Sequence, residues 1–340
     1  MVYSFQLWRH PNIHYREAIL RLSVCELFAM LRSLSITAEI QAETLGSASF
    51  LTFVCRPLAP EELAWLRGHS CVVFMAEKRG SMLFPLAVDP PDAIFTALPE
   101  VLKYKEKTNA TFTQMMLNTA VSLTPFARQA SLTLLDPLCG RGTGLFCGLL
   151  AGMNAVGLDL DGRDLKEAAD YFSRFLRLHR VKHVLDQRSE TVRSRPVPVR
   201  FFRFALSKEQ FRTGETRSLA LYEGDTSLAG SLMRKHPAHV LVADLPYGVQ
   251  HAPQAGQKPE SFECLLSRAL PAWREALLPC GALALSFNSL TLKTAAVYDL
   301  LRQAGFLPVT SPAFSNLAHS VEQAVIRDLV FATVPRITQV

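Results

Sequence analysis

Four times in this chain a short apolar run stops at an acid. The runs are Leu132-Thr133-Leu134-Leu135-Asp136, Ala155-Val156-Gly157-Leu158-Asp159, Leu219-Ala220-Leu221-Tyr222-Glu223-Gly224-Asp225 and His239-Val240-Leu241-Val242-Ala243-Asp244. Continuous apolar stretches of this length, separated by helical patterns, read as buried parallel strands. Open α/β sheets place their chemistry at the carboxyl ends of such strands. The last run continues into Leu245-Pro246-Tyr247-Gly248. An acceptor carboxylate, a carbonyl at a proline and a flat aromatic ring together suit a planar base with an exocyclic amine. Asp, Pro and Gly are also common turn formers, so a plain strand-to-loop turn stays open at this level.

The bulk composition supports large buried sheets. Hydrophobic residues make up 49% of the 340 residues and charged residues 19%, which excludes a disordered chain and allows one large or two ordinary domains. Seven cysteines are scattered without a C-x-x-C spacing, so neither a metal centre nor a disulfide framework is expected. No signal peptide opens the chain and no apolar run approaches a membrane span, so the expectation is a soluble cytoplasmic protein with no membrane partner. The formal net charge of +6 invites a polyanionic partner without identifying one.

Residues 1–88 form a small pattern of their own. Strands are expected at Tyr3–Leu7, Ala38–Leu45, Phe50–Cys55 and Cys71–Met75, with helices over Tyr15–Leu34 and from Pro60. That βαββαβ order predicts a ferredoxin-like α+β domain with an antiparallel sheet. Asp89-Pro90-Pro91-Asp92 marks a linker over residues 89–103. A second domain then fills residues 104–340, opening on a helix over Gln114–Leu123 for which Thr111 is a candidate cap. Its tail, Phe306–Val309 and Ala324–Thr333, predicts two strands pairing antiparallel at the sheet edge.

Asp136 runs into Pro137-Leu138-Cys139-Gly140-Arg141-Gly142-Thr143-Gly144 and a helix. Glycines here let the backbone turn beneath a ligand and leave the helix amino terminus open. A carboxylate ahead of the glycines would repel a pyrophosphate but attract a cationic amino acid portion, favouring S-adenosylmethionine over a nicotinamide or flavin cofactor. Asp159 stands where an acid can accept the hydroxyls of a ribose, and Asp161 is expected to cap the following helix. Glu223-Gly224-Asp225 is either a simple turn or the source of an acceptor for an adenine amine.

From Arg174 to Arg217 the chain carries twelve Lys and Arg against four acids, interleaved with Phe175, Phe201, Phe202, Phe204 and Phe211. An inserted extended pair or loop over about residues 180–217 fits this composition better than a helix. Because the imbalance lies beside the site, Arg193, Arg195, Arg200 and Arg203 are candidate nucleic-acid contacts rather than a solvated face.

These residues carry a family resemblance. Asp136 to Thr143 resembles the cofactor loop of class I S-adenosylmethionine-dependent methyltransferases, and Asp244-Leu245-Pro246-Tyr247-Gly248 resembles their Asp/Asn-Pro-Pro-Tyr/Phe amino-methylating motif. Lys107-Thr108-Asn109, Phe112-Thr113 and Asn118, followed by both motifs, are similar to the tRNA guanosine N2-methyltransferases and their bacterial relatives over about residues 104–333. Leu245 replaces the first proline of the commonest motif, and there is no room for the THUMP domain those enzymes carry. The resemblance implies a Rossmann-like methyltransferase sheet with an antiparallel last strand, S-adenosylmethionine as cofactor, no metal, and RNA, above all tRNA, as partner. It implies that Asp136, Gly140 and Gly142 line the methionine end, Asp159 holds the ribose and Asp225 the adenine, with Asn109 and Thr113 in the same pocket. Asp244 and the Pro246 carbonyl would accept from the target amine, and Tyr247 would stack on the base. The implied reaction is methylation of guanine N2. Adenine N6 of DNA or RNA is the rival target, and a non-catalytic nucleic-acid-binding protein or a nicotinamide oxidoreductase are the rival classes.

Overall fold

The computed structural model of the protein describes residues 1–8, 13–88, 93–101, 109–246, 254–255, 258–322 and 325–336. The two ends of the expected linker, residues 89–92 and 102–103, together with Lys107, Thr108, Tyr247 and Gly248, lie outside them.

The first sheet contains β1 (Val2–Leu7), β2 (Ile40–Leu45), β3 (Ala48–Val54), β4 (Val72–Arg79) and β5 (Met82–Pro85), with α1 (Ile13–Ser33) and α2 (Pro60–Arg67) between them. Its order is β2-β3-β1-β4-β5 and every pairing is antiparallel. This is the expected ferredoxin-like arrangement, lengthened by β5 at one edge. Alternation on β1 and β3 buries Tyr3, Phe5 and Phe53, and the Phe5 and Phe53 rings meet edge to face at 5.2 Å.

Helix α1 serves two cores. Leu27 and Leu31 pack under the first sheet, whereas Leu22, Cys25 and Ala29 join residues of the second unit. A helix apolar on two faces is buried between layers. Glu26, fully buried in this seam, accepts from the Ser70 amide at 2.8 Å and from the Asn118 side chain at 2.6 Å. Asn118 also donates to the Gly68 carbonyl at 2.8 Å and accepts from Gln114 at 3.0 Å. Its amide is thus spent on fastening the two units together.

After α3 (Leu98–Val101) and α4 (Ala110–Ser122) the second unit runs β6 (Thr133–Asp136), α5 (Thr143–Leu150), β7 (Asn154–Asp159), α6 (Gly162–Leu178), β8 (Lys182–Val192), β9 (Arg195–Ala205), α7 (Lys208–Thr213) and β10 (Arg217–Glu223). It continues with α8 (Ala229–Met233), β11 (Ala238–Asp244), a two-residue ribbon of β12 (Gln254–Ala255) and β13 (Lys258–Pro259), α9 (Phe262–Ala276) and β14 (Leu277–Asn288). It ends with α10 (Thr294–Gln303), β15 (Leu307–Pro308), β16 (His319–Glu322) and β17 (Val325–Thr333). The large sheet has the order β15-β17-β14-β11-β6-β7-β10-β9-β8, with β16 beside β17. Pairings among β14, β11, β6, β7 and β10 are parallel, and β17 is antiparallel to both β14 and β15. This is the doubly wound sheet with an antiparallel last strand that the sequence predicts.

Alternating residues send Leu241, Ala243 and Leu245 against α8 to α10, and Leu134, Val240 and Val242 against α4 and α1. The chain moves from β6 to β7 on one side and later sets β11 on the other, so β6 and β11 flank the topological switch point. No described helix is long and apolar enough to cross a membrane.

One local expectation is corrected and another is sharpened. Asn109, not Thr111, caps α4, its side chain accepting from the Thr111 amide at 2.8 Å. Asn outranks Thr as a cap, and placing it first adds a turn to the helix. In the basic segment the extended pair is present as the hairpin β8–β9, paired antiparallel to the edge of β10. Phe175, Phe202 and Phe204, however, lie buried beneath it in the core with α6. They are packing residues, because the strand period turns their face toward the helix.

Candidate active site at the strand ends

The acids of β6, β7, β10 and β11 gather along one edge of the sheet, because neighbouring parallel strands end together. Glu223 aligns with Asp159, Gly157 with Asp136, and Asp244 with Ser286. Asp136 and Asp244 follow, two residues on, from Leu134 and Val242, so both belong to the α4 side of the sheet.

Asp136 is 6% exposed and accepts from the Leu138 amide at 3.2 Å. Burial pushes its carboxyl up to about 8, with the Asp159 and Asp244 charges adding to the rise and the Leu138 amide opposing it. The loop after it turns through Gly142 at φ +86°, a left-handed conformation, before α5 begins. Gly144 sits against the acid: a Cβ there would lie 2.3 Å from Asp136 Oδ2. Ala at an ordinary helical position stabilises by roughly 0.5–1 kcal/mol over Gly. Gly144→Ala should do the reverse, lowering the melting temperature and weakening cofactor affinity at least about tenfold as the carboxylate is displaced; thermal melts and a cofactor titration measure both.

Asp159, half-buried, ties this loop to β7. It accepts from the Gly140 amide at 2.8 Å and the Asp161 amide at 2.9 Å. Burial raises its pKa against those two amides. Asp161 takes the capping role, accepting from the Arg163 amide at 2.8 Å. Among the described contacts, Asp136 and Asp159 are met by backbone amides and by no cationic side chain.

Asp225 caps the 3-10 turn Thr226–Leu228, accepting from the Ser227 amide at 2.9 Å, and forms an ion pair with Arg268 of α9. Burial pushes its carboxyl up, but Ser227 and the Arg268 guanidinium outweigh that and hold it below its ordinary value. Arg268 also reaches Glu260 at 3.1 Å. Nothing in the sequence pattern singles out Arg268, since one Arg on an amphipathic helix looks like solvent decoration. Glu223, read from sequence as part of a turn, presses its carboxylate on the start of α6, where a Cβ on Gly162 would come within 2.5 Å of it.

At β11 the departure from the double-proline motif has a structural counterpart. The Leu245 amide donates to the Ser286 carbonyl at 2.9 Å and its side chain is buried against α8 to α10. Proline would supply no such donor. Pro246 is half-buried and Tyr247 lies outside the described residues.

Not every candidate joins this row. Asn109 is used as a cap and the buried Thr113 hydroxyl donates back to the Asn109 carbonyl at 3.3 Å. Among the described contacts none links either residue to the acids. The four arginines are also divided: Arg193 and Arg195 sit at the hairpin tip, Arg200 lies midway along β9 and Arg203 near its foot. Arg193 donates to Ser231 beside α8 at 2.8 Å.

No family model and no curated protein matches the sequence. Among solved structures the chain is similar to TrmN from Thermus thermophilus, at 16% identity and a TM-score of 0.36, covering 87% of this chain and 60% of that one. It is also similar to an rRNA methylase from Streptococcus thermophilus, at 12% identity and a TM-score of 0.35, covering 64% of this chain and 92% of that one. A third neighbour is magnesium protoporphyrin IX methyltransferase from Synechocystis PCC 6803, at 13% identity and a TM-score of 0.38, covering 68% of this chain and 88% of that one. The chain spans 60% of the length of TrmN. The strand order with its antiparallel last strand decides the fold. The fold is the Rossmann-like sheet that the resemblance to class I methyltransferases implies. On this sheet the acids lie at the carboxyl edge on both sides of the switch point, while the hairpin β8–β9 extends the sheet beyond β10.

Proposed function

We propose that the protein transfers a methyl group from S-adenosylmethionine to an exocyclic amine of a nucleic-acid base, with guanine N2 of tRNA or another RNA as the target. The observation that carries this reading is the row of strand-end acids in which the buried Asp136 is met, among the described contacts, by an amide and by no cation. Such a site is electrostatically complementary to a ligand that brings positive charge. Gly140 supports the fit, since a Cβ added there would meet nothing within 4 Å. Asp136, Gly140 and Gly142 would hold the methionine end, Asp159 the ribose and Asp225 the adenine, with Asn109 and Thr113 as outlying members of the pocket. Bound S-adenosylmethionine supplies a methyl on a sulfonium, whose sulfur leaves with the bonding electron pair.

Asp244 would accept a hydrogen bond from the target amine, and the Pro246 carbonyl would take the other amine hydrogen. Two acceptors favour pyramidal nitrogen and aim its lone pair, so catalysis here is positioning and electrostatics. The new nitrogen–carbon bond forms as the carbon–sulfur bond breaks, and the surplus proton leaves the nitrogen toward Asp244 or water. Tyr247 keeps the stacking role the resemblance implies, and the base must be unpaired or flipped out to reach it. Arg195 and Arg200 on the hairpin would meet the RNA backbone, with Arg193 and Arg203 contributing at its two ends.

Incubating the protein with labelled cofactor and host RNA or DNA, followed by nucleoside mass spectrometry, tests this. N2-methylguanosine in RNA is the expected product. 6-Methyladenine alone would move the target to adenine N6, and absence of cofactor binding at millimolar concentration would leave a non-catalytic nucleic-acid-binding protein.

A further inference from the structure

A cluster of exposed cations lies away from the site. β8 runs parallel to β10 because each is antiparallel to β9, so the tip of the hairpin is at the crevice end of the sheet and its foot at the opposite end. Lys182 and Arg193 are eleven positions apart, which at about 3.2 Å per residue in a twisted hairpin is roughly 35 Å. Midway, Arg188 is neutralised by Asp186 at 2.5 Å and Glu190 at 2.7 Å. At the foot, Arg174 and Arg177 on the outer face of α6, then Arg180 and Lys182, are all exposed. Arg203 and Lys182 both lie over the Phe211 ring, at 4.8 and 5.8 Å. Two nearby acids are already engaged, Asp170 with Lys166 at 3.2 Å and Glu209 with Arg212 at 2.9 Å.

We propose that this foot, formed by Arg174, Arg177, Arg180, Lys182 and Arg203, is a second RNA-backbone contact that holds a large folded RNA about 35 Å from the nucleotide being modified. The inference rests on the RNA reading given above. Five exposed cations, with Asp170 and Glu209 paired to other cations and Glu215, among the described residues, the one further acid beside them, leave a positive surface that complements a polyanion. The neutral middle of the hairpin separates this contact from the tip. At about 3.4 Å per phosphate in a stacked strand, foot and tip are about ten phosphates apart, a span that only a structured or long RNA covers. A short oligonucleotide held at the crevice would never reach the foot.

Binding by fluorescence anisotropy, across a series of salt concentrations, separates the two contacts. The probes are a tRNA-sized folded transcript and a 5-nucleotide single strand, too short to bridge foot and tip. Arg177→Glu/Arg180→Glu/Lys182→Glu should weaken binding of the transcript by roughly tenfold or more and reduce its salt slope by about 2, leaving the 5-mer unchanged. Arg195→Glu/Arg200→Glu should weaken both. Arg174→Gln/Arg177→Gln/Arg180→Gln, a milder set for these exposed positions, should show the same selectivity at smaller size. Equal loss on both probes, an unchanged slope on the transcript, or wild-type protein that binds anionic phospholipid vesicles through the foot in preference to RNA would each overturn the proposal. Methyl transfer run in parallel keeps the two readings apart: foot-dependent RNA binding without transfer sinks only the enzymatic reading, and transfer with foot-independent binding sinks only this one.

Discussion

Asp244→Ala should reduce single-turnover methyl transfer by roughly 10²- to 10⁴-fold, the range for losing one positioned acid–base or charge-stabilising group. Cofactor affinity should not fall with it. Asp244 ends β11, across the switch point from Asp136, and its charge raises the pKa of Asp136. Removing that charge makes Asp136 easier to ionise, so a cationic ligand should bind as tightly or slightly more tightly. An Asn at the same position keeps one acceptor oxygen and should retain more activity than Ala. Isothermal titration with the cofactor and quench-flow transfer to RNA read the two effects separately. Transfer within tenfold of wild type would remove Asp244 from its role.

Asp136→Asn should stabilise the ligand-free protein at alkaline pH and abolish cofactor binding. The folded carboxyl titrates at about 8 against an ordinary value of 3.8. Between those values the folded state holds a proton that the unfolded chain has released, so stability falls as pH rises. The wild-type penalty is absent below pH 4 and complete above pH 8. Asn, which can still accept from the Leu138 amide, carries no such penalty; its gain should be near zero at pH 4 and on the order of a few kcal/mol at pH 8.5. The same ionisation governs binding: wild-type affinity for a cationic ligand should rise from pH 6 to pH 8 by at most about tenfold per unit, with proton release to buffer. A flat pH profile, or cofactor binding that survives in Asp136→Asn, would separate this acid from the ligand.

Strand, acid and glycine loop were legible because each is a local signal. An apolar run with an acid at its end fixes where a buried strand must stop, and Gly142 and Gly144 follow from a turn and a close approach to Asp136. The hairpin was legible as an extended pair. Which of its aromatic residues are buried was not legible, because periodicity on a strand states that two faces differ, not which face meets a helix. Phe202 and Phe204 fell on the helix side and Phe201 on the other. Asn118 belonged to a recognisable motif, yet its amide is spent on Glu26, 92 residues away, a partner no window of sequence connects to it.

The sequence by itself determined the class of sheet, the four acidic strand ends, the ferredoxin-like first unit and the excess of positive charge around residues 174–217. Hydrophobic periodicity and backbone preference act over a few residues, and those features need nothing longer. Only the tertiary structure decided that Asp136 lies buried beside two other carboxylates, that Arg268 occupies Asp225, and that Leu245 is fixed by the Ser286 carbonyl. It likewise decided which cations are neutralised along the hairpin and which remain at its foot. Burial, charge pairing and register are properties of chain segments brought together from far apart, and the energy of each depends on partners that the local sequence does not name.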